Sequence, residues 1–213
     1  IQSLLPASEG TITANVLGEY QTNSRLRGYY GSVAGTKNGF IFNAYGSYKG
    51  AQDYKNKYDG YVFNSKFNNK NVGAMLGYAG SWGHTYVRVS HFDQHIGMVE
   101  GERDDATGKF LKPIAGGGEE IVTNEDFRSI DPFVPYQRVQ HLKVSADNSF
   151  NAGRSKVDVS LGYQRNQRRE FGDPDNIKAP EAYFDLNTVN YTVKWNLPYK
   201  ENWRTSIGLS GMN

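Results

Sequence analysis

Two histidines and an aspartate occupy alternate positions in one stretch of the chain, His91, Asp93 and His95. Imidazole nitrogens and a carboxylate could ligate a metal ion or a haem iron. Alternate positions of a β-strand point to the same face, so all three side chains would share one side. Residues four apart on a strand lie roughly 13 Å apart, because each residue advances a strand by about 3.3 Å. The two histidines therefore cannot hold one ion together, and no metal site is predicted.

Aromatic and cationic side chains lie in and beside the long polar stretches of the sequence. Aromatic rings there could contact a bound ligand, or they could pack against one another. Arg165, Arg168 and Arg169 form a basic cluster that could attract an anionic ligand, bind lipopolysaccharide phosphates, or simply line a wet surface. The candidate ligand-binding residues are Tyr54, Tyr58, His95, Phe110, Phe127, Tyr136 and Arg168.

Two further patterns resemble ion-binding loops, but neither has the spacing that such a loop requires. The acidic residues of 100–105 and 119–120 do not follow the spacing of an EF-hand calcium loop. The glycine run 116–118 lacks the Lys-Ser/Thr that completes a phosphate-binding loop. No Ser/His/Asp or paired-carboxylate pattern accompanies them. The sequence therefore predicts no enzyme, no catalytic residue and no cofactor.

Composition narrows the class of protein. The 213 residues carry a formal net charge of +2, which argues against a nucleic-acid partner, and they contain no cysteine. Tyrosine, phenylalanine and glycine are abundant, at 15, 11 and 24 residues, and this mixture favours strands and turns. No apolar run approaches the 18 or so residues of a membrane-spanning helix. A transmembrane strand needs only about 9–11 residues with every second one apolar, so its signal is weak.

Alternation of apolar and polar residues predicts nine strands. It is clearest in 137–171, where two strands flank a turn at 151–155; Leu142, Val144 and Ala146 share one face of the first, and Val157, Val159, Leu161 and Tyr163 share one face of the second. Asn38-Gly39 is a strong hairpin signal because both residues accept positive φ. The other predicted strands lie at 11–20, 25–35, 40–47, 61–80, 84–97, 189–196 and from 205 onwards.

Short and long connections alternate between these strands. Short turns are predicted near residues 37, 82, 153 and 199, and long loops near 55, 115 and 177, of which 98–134 is the longest irregular stretch. Outer-membrane barrels have short periplasmic turns and long extracellular loops. Trp82, Trp195 and Trp203 all lie beside short turns, where an aromatic girdle belongs. In 61–80 and 84–97 the apolar alternation is confined to the half nearest the short turn, as lipid contact of limited height predicts.

Several runs of the sequence carry a resemblance to a known family. They are 18–23, 53–55 with 64–65, 90–97, 136–141, 163–171, 184–188 and 208–212. With them the chain resembles a TonB-dependent outer-membrane receptor of the FecA-like, siderophore- or haem-receptor type. The resemblance implies an all-β fold, an antiparallel up-and-down transmembrane β-barrel of 22 strands that encloses an N-terminal plug. Residues 1–213 would be the N-terminal part of that barrel, about nine strands, with the plug domain and the C-terminal strands absent.

The resemblance also implies a function and its partners. Such a receptor imports an iron chelate (siderophore, ferric citrate or haem) across the outer membrane of a Gram-negative bacterium. This chain would supply barrel wall and extracellular loops, with lipid and lipopolysaccharide around it and TonB engaged through the missing plug region.

Two alternatives remain open at the sequence level. One is TonB-dependent uptake of a glycan or another nutrient, for which the barrel strands would look the same. The other is a soluble carbohydrate-binding β-sandwich, which predicts that the apolar side chains pack on each other in a core. The barrel predicts that the same side chains face outward. The residues that separate these two predictions are Val72, Leu76, Val87, Val189, Val193 and Ile207.

Overall fold

Nine long strands form one antiparallel sheet in the structure, a computed structural model that describes residues 8–198 and 203–213. Two small hairpins lie in the loops. In chain order the strands are β1 (Ile12–Gln21), β2 (Leu26–Lys37), β3 (Phe40–Ala51), β4 (Lys55–Asn56), β5 (Gly60–Tyr61), β6 (Phe67–Gly80), β7 (Gly83–Gly97), β8 (Leu111–Ile114), β9 (Gly118–Ile121), β10 (Tyr136–Ala152), β11 (Ser155–Phe171), β12 (Ala182–Asn196) and β13 (Ser206–Met212).

The sheet has the meandering order β1-β2-β3-β6-β7-β10-β11-β12-β13, and β4-β5 and β8-β9 are separate two-stranded hairpins. The predicted all-β class and the nine antiparallel strands are therefore confirmed. The sheet is not closed: within the described residues, β1 and β13 are edge strands. A complete barrel is thus not part of this structure.

Turn chemistry fixes the register of the hairpins. Asn38 and Gly39 have φ of 52° and 80°, the left-handed pair that a type I′ turn requires, and they join β2 to β3. Gly153 (φ 61°) begins the equally short turn between β10 and β11. Register decides which side chains share a face, because a slip of one residue would move every side chain to the other face.

One face of the sheet is apolar over most of its area, and we call it the apolar face. Cross-strand partners point to the same side, so the register can be followed from strand to strand. One such row contains Phe42, Leu76, Val87, Ala146, Leu161, Tyr191 and Gly211, which are successive partners from β3 to β13. Rows on either side of it carry Val89, Val144 and Tyr163, and Val159 and Val193.

The other face of the sheet, the polar face, carries hydrogen-bonded polar side chains. Arg88 pairs with Asp147 across β7 and β10. Asp158 accepts hydrogen bonds from the Ser149 hydroxyl at 2.6 Å and from the Asn196 amide at 2.6 Å, so one carboxylate links three strands. Ser149 is almost fully buried there although it is polar. The polar side chains of the sheet are therefore hydrogen-bonded to one another, whereas many of its apolar side chains are exposed.

The predicted strand 61–80 is wrong in its first part. The strand begins at Phe67, and the run 68–71 continues within it without a break. Residues 62–66 belong to the preceding loop, where Asn64 has φ 59°, a left-handed conformation outside the range of a regular strand. The polarity of this segment on both faces reflects contacts inside the loop.

The predicted loops contain more regular structure than expected. β3 continues to Ala51, and the polar stretch after it forms the hairpin β4-β5. The long stretch 98–134 contains the hairpin β8-β9 and a three-residue 3₁₀ turn, Asp126–Arg128. Among the described residues no helix is long and apolar enough to cross a membrane. The turn predicted near 199 falls largely on 199–202, outside the described residues.

Candidate functional site

Four connections meet at one end of the sheet and form a continuous layer, which we call the loop cap (22–25, 52–66, 98–135 and 172–181). Asn23 joins the first two, because its side chain donates to the Lys55 carbonyl at 3.0 Å and accepts from the Lys55 N–H at 2.6 Å. The Gly116 N–H donates to Asp175 at 2.6 Å and joins the third connection to the fourth. The loops are therefore held to one another by main-chain and side-chain hydrogen bonds.

A buried ion pair lies inside the loop cap. The Lys66 ammonium is 3.1 Å from the Asp53 carboxylate, and both side chains are 0% exposed. Lys66 also donates to the Asp126 carbonyl and lies 4.7 Å from the centroid of the Phe133 ring. Burial raises the pKa of Asp53 and lowers the pKa of Lys66, because each charge has lost its water. Without access to solvent, the pair has no surface at which to bind a ligand. It links the two ends of the 52–66 loop, and the hydrogen bond from Lys66 to Asp126 joins that loop to 98–135.

Asn64 is the second internal link. Its amide nitrogen lies within hydrogen-bond distance of three carbonyl oxygens, those of Met98 (3.2 Å), Phe133 (3.0 Å) and Pro135 (2.7 Å). Its amide oxygen accepts from the Phe133 N–H at 3.0 Å. Asparagine tolerates the left-handed conformation found here better than most residues. One side chain thus fixes both ends of the 98–135 loop.

The predicted aromatic candidates Phe110 and Phe127 lie in the small apolar core of the loop cap, which also contains Phe63, Val122 and Phe133. The Arg103 guanidinium covers the Phe110 ring at 3.8 Å, and the Phe127 ring stacks on Tyr61 at 5.2 Å. Both rings also contribute to the floor of an open cleft of about 730 Å³. Arg103 and Lys109 bring cationic groups to the same cleft.

A second cleft, of about 410 Å³, brings together two other predicted residues, His95 and Tyr136. Their ring centroids are 6.3 Å apart, and Tyr136 stacks on Phe171 at 4.5 Å. The His95 Nε2 atom is 3.6 Å from the Asp93 carboxylate. The cleft is lined mainly by rings and prolines, so it suits an apolar or aromatic group better than an ion.

The remaining predicted residues are dispersed. Tyr58 is 91% exposed near the tip of the β4-β5 hairpin, and Tyr54 is exposed just before the hairpin. Neither tyrosine lines either of the two clefts. Arg168 lies on the polar face, where it forms an ion pair with Glu170 at 2.6 Å. Arg165 and Arg169 lie on the opposite side of β11, because alternate residues of a strand change sides. The basic cluster seen in the sequence is therefore divided between two faces.

The apolar face ends in charged and amide side chains next to the loop cap, and we call these the polar belt. Arg138 donates to Asp93 at 3.1 and 2.6 Å, and Arg165 donates to Asp185 at 2.9 and 2.5 Å. Arg169 donates to Gln140 at 2.7 Å. The belt comprises Asn68, Lys70, His91, Asp93, His95, Arg138, Gln140, Arg165, Gln167, Arg169, Tyr183 and Asp185. Sequence reasoning found this change of polarity only in 61–80 and 84–97, although it continues in β10, β11 and β12.

An aromatic row borders the apolar face at its other end. The ring centroids of Phe40 and Tyr78 are 4.8 Å apart, those of Tyr78 and Trp82 6.2 Å, and those of Trp82 and Phe150 5.7 Å. Trp195 pairs with Ile207 at the same end, and Trp203 lies exposed just before β13. All three tryptophans are thus at the end of the sheet opposite the loop cap, as their spacing in the sequence predicts.

Comparison with known proteins adds no relative. No family model matches the chain, and a search of curated proteins finds no match. Within residues 8–198 and 203–213, no group of three or more His, Asp or Glu side chains is placed to hold a metal ion. The site is therefore described by its own geometry: a loop cap with two clefts, above a sheet with one apolar and one polar face.

Proposed function

We propose that this chain forms part of the wall of an outer-membrane β-barrel, a TonB-dependent receptor that imports an iron chelate, with the loop cap on the outside of the cell. One observation carries the membrane part of this proposal. The apolar face runs in register across nine strands and nothing in the described residues covers it. Val16, Leu76 and Leu209 are 90%, 69% and 66% exposed.

The dimensions of the apolar face suit a bilayer. In most strands its apolar stretch is about seven to nine residues long, roughly 20–27 Å at about 3.3 Å per residue. The apolar band of outer-membrane barrels is about 25 Å tall. An aromatic row at one border and charged groups at the other are what the two membrane–water interfaces favour. The polar face would then line a wet interior, in accord with its hydrogen-bonded side chains.

A soluble sandwich accounts for these features less well. It requires a second layer over the six residues that distinguish the two folds, yet their exposed fractions range from 40% for Val193 to 69% for Leu76. Full burial of such a side chain contributes about 1.5–3 kcal/mol, and each of the six forgoes the part of this that corresponds to its exposed fraction. Apolar patches of this extent on a protein in water mark an interaction surface or an aggregation hazard. Lipid is the occupant that also explains the aromatic and charged borders.

The transport part of the proposal rests on the sequence resemblance, and the loop cap supports it. Long loops on the outer side of a barrel are where a receptor meets its ligand. Here the loops are interlinked and present two open clefts with aromatic linings. Coupling to TonB would require the plug region, and the chain itself would be a binding and wall element without catalytic chemistry.

The membrane part is tested by a matched pair of substitutions at adjacent residues on opposite faces, Leu161→Arg and Ser160→Arg. Arginine on the lipid face near mid-bilayer costs about 2–4 kcal/mol, whereas substitutions facing the interior cost much less. We expect Leu161→Arg to destabilise the full-length protein folded in phosphatidylcholine vesicles by that amount, measured by urea titration, and Ser160→Arg to have a small effect. Equal effects, or a soluble folded monomer without lipid, would refute a membrane wall.

The transport part is tested by growth on defined iron sources with and without the full-length gene. Loss of growth on one chelate identifies the substrate. Unchanged growth on every iron source would contradict iron import and favour uptake of a glycan or another nutrient, since the barrel wall would be the same. The vesicle experiment is independent of this result, because it depends only on which face meets lipid.

A further inference from the structure

The cleft that contains His95 and Tyr136, which we call the side cleft, differs from the other cleft of the loop cap in its position and its charge. We infer that the side cleft binds an aromatic amine, that is, a flat apolar ring that carries an ammonium group on a short chain. Its volume of about 410 Å³ is typical of a small-molecule site. The side cleft is formed by loops and the ends of two strands, so its chemistry is the same whether or not the sheet lies in a membrane.

The side cleft lies on the side of the sheet that carries the apolar face. In β7, His95 points to the same side as Val87 and Val89, because alternate residues of a strand share a side. In β10, Tyr136 points to the same side as Val144. In the proposed barrel this is the outer side, whereas a chelate in transit would meet the polar face. A ligand of the side cleft would therefore be held at the rim of the wall and not carried through it.

Contacts between the loops shape the side cleft before any ligand binds. The Tyr136 hydroxyl donates to the Ile177 carbonyl at 3.1 Å, which ties the fourth connection of the loop cap to β10. The Gly116 N–H donates to Asp175 at 2.6 Å and ties the same connection to the β8-β9 turn. The Tyr136 ring stacks on Phe171 at 4.5 Å, with an angle of 10° between the ring planes. A cleft formed beforehand loses less conformational entropy when a ligand binds.

The apolar part of the lining suits a flat ring. Pro113, Pro132 and Pro174 contribute their rings, and Val134 and Ile177 contribute aliphatic side chains. Proline and aromatic rings pack against each other in peptide-recognition grooves. Each proline also lacks a backbone N–H, so this part of the lining offers few donors to an anion. Because Ile177 is 53% exposed, a bound ring would cover apolar surface that now faces solvent.

Asp131 gives the side cleft its charge. Among the described residues that line it, Asp131 alone carries a formal charge when His95 is neutral. Its main chain is fixed, because its N–H donates to the Ser129 hydroxyl at 3.0 Å and its carbonyl accepts from that hydroxyl at 2.9 Å. Its carboxylate accepts one long hydrogen bond, from the Asn68 amide at 3.4 Å, and in the described part of the chain no lysine or arginine lies at ion-pair distance from it. A carboxylate has about four acceptor positions, so Asp131 can accept from an ammonium group.

The cations close to the side cleft do not make it an anion site. Arg138 donates to Asp93 at 3.1 and 2.6 Å, and Lys112 lies 2.8 Å from each of two carboxylates. Neither cation lines the side cleft. The other cleft is lined by Arg103 and Lys109 against a single carboxylate, and it favours anions. The two clefts of the loop cap therefore prefer ligands of opposite charge.

The test is a calorimetric titration of the full-length protein in neutral detergent at pH 7 and constant low salt. The probes are tryptamine, its neutral counterpart tryptophol, and ethylamine, which has the ammonium group without the ring. We expect tryptamine to bind, and tryptophol to bind about three- to tenfold more weakly, the loss expected when an exposed carboxylate has no charged partner. Ethylamine should not bind measurably, because it buries no ring.

Matched variants assign the binding to the side cleft. Asp131→Asn should weaken tryptamine binding by the same factor of about three to ten and leave tryptophol binding unchanged. Asp105→Asn removes the same charge from the same loop but lies outside both clefts, so it should bind tryptamine as the unaltered protein does. Ala115→Trp would fill the side cleft with a larger side chain and should abolish binding of both ring probes.

Three results would overturn the inference: no binding of tryptamine, tryptophol bound as tightly as tryptamine, or equal losses in the two asparagine variants. Asp131→Asn keeps the main-chain hydrogen bonds to Ser129, so a loss of affinity would not arise from unfolding of the loop. These failures are distinct from a failure of the proposed function. Growth on iron sources does not depend on the side cleft, and the Leu161/Ser160 experiment depends only on which face meets lipid.

Discussion

Replacing Lys66 by methionine should open the loop cap without unfolding the sheet. The change removes a fully buried cation and leaves the Asp53 carboxylate, which is 0% exposed, without its counter-charge. Breaking a buried ion pair by removing one partner costs about 3–5 kcal/mol, because a charge then stays in a site without water. The methionine side chain still fills the space beside Phe63 and Phe133, so little of this cost arises from a cavity.

The cost should largely disappear when the second charge is removed as well. In the double variant Asp53→Asn/Lys66→Met, the amide oxygen introduced at position 53 can still accept from the N–H of residue 66, a contact that the Asp53 carboxylate makes at 3.0 Å in the unaltered protein. No isolated charge then remains, and neutral replacements of buried ion pairs are often close to neutral in stability. We expect the double variant to recover at least about 2 kcal/mol relative to Lys66→Met.

Amide hydrogen exchange measures the loss of stability in the loop cap separately from that of the sheet, because it reports the free energy of opening for each segment. Amides of the loop cap should exchange faster in Lys66→Met by a factor of about 10² or more, while the central strands β10 and β11 keep their protection. Lys49→Met is the matched control: its ion pair with Glu19 is largely exposed and is worth at most about 1 kcal/mol. Unchanged exchange in Lys66→Met, or a double variant as labile as the single one, would refute the reasoning.

Other predictions concern the same loop cap. Gly97→Ala should destabilise the loops by about 1–3 kcal/mol by hydrogen exchange, because a Cβ there would overlap the Asn64 carbonyl oxygen, whereas a Cβ at Gly31 meets nothing within 4 Å and Gly31→Ala is the control. Asn64→Asp should increase proteolysis of 98–135, since the oxygen that replaces the amide nitrogen would face three carbonyl oxygens. Burial raises the pKa of Asp126, but hydrogen bonds from Lys112 and the Thr123 N–H and hydroxyl outweigh it and hold the pKa below its ordinary 3.8. The Asp126 carboxylate therefore contributes stability above pH 3.8, and this contribution is lost as the pH falls through the lower pKa of the folded state. Cleavage of the loop cap by pepsin should increase over that pH range, and the increase should be smaller in Asp126→Asn.

The sheet could be predicted from the sequence because period-two alternation is a local property. Once Val144 and Ala146 are placed on one side, the short turn at Gly153 dictates that they meet Tyr163 and Leu161. The same rule fixes the hairpin of β2 and β3 through Asn38-Gly39. Errors in the sheet lie at the ends of strands. One strand was extended into the polar segment 61–66, whereas β3 and β12 are longer than predicted, since β3 continues to Ala51 and β12 begins at Ala182.

The loop cap could not be predicted in the same way. The contact of Asp53 with Lys66, and those of Asn64 with Met98, Phe133 and Pro135, join loop residues whose separations have no period. No turn motif specifies these pairs, since they form only when the 52–66 loop folds back on itself and packs against 98–135. The two clefts depend on these contacts too. The sequence analysis therefore named four of their residues, His95 and Tyr136 in one and Phe110 and Phe127 in the other, without indicating which of them lie together.

The two borders of the apolar face argue for surroundings that change along the strands. Water or a covering protein layer selects which side of a strand is apolar, and it selects the same side from one end to the other. In β11 the side that carries Val159 and Leu161 also carries Arg165 and Arg169, while the other side stays polar throughout. β7 changes at the same height, from Val87 and Val89 to the histidines and Asp93. A change at one height in neighbouring strands is what a layered medium would select, and this is the reason why the proposal places the sheet in a lipid bilayer.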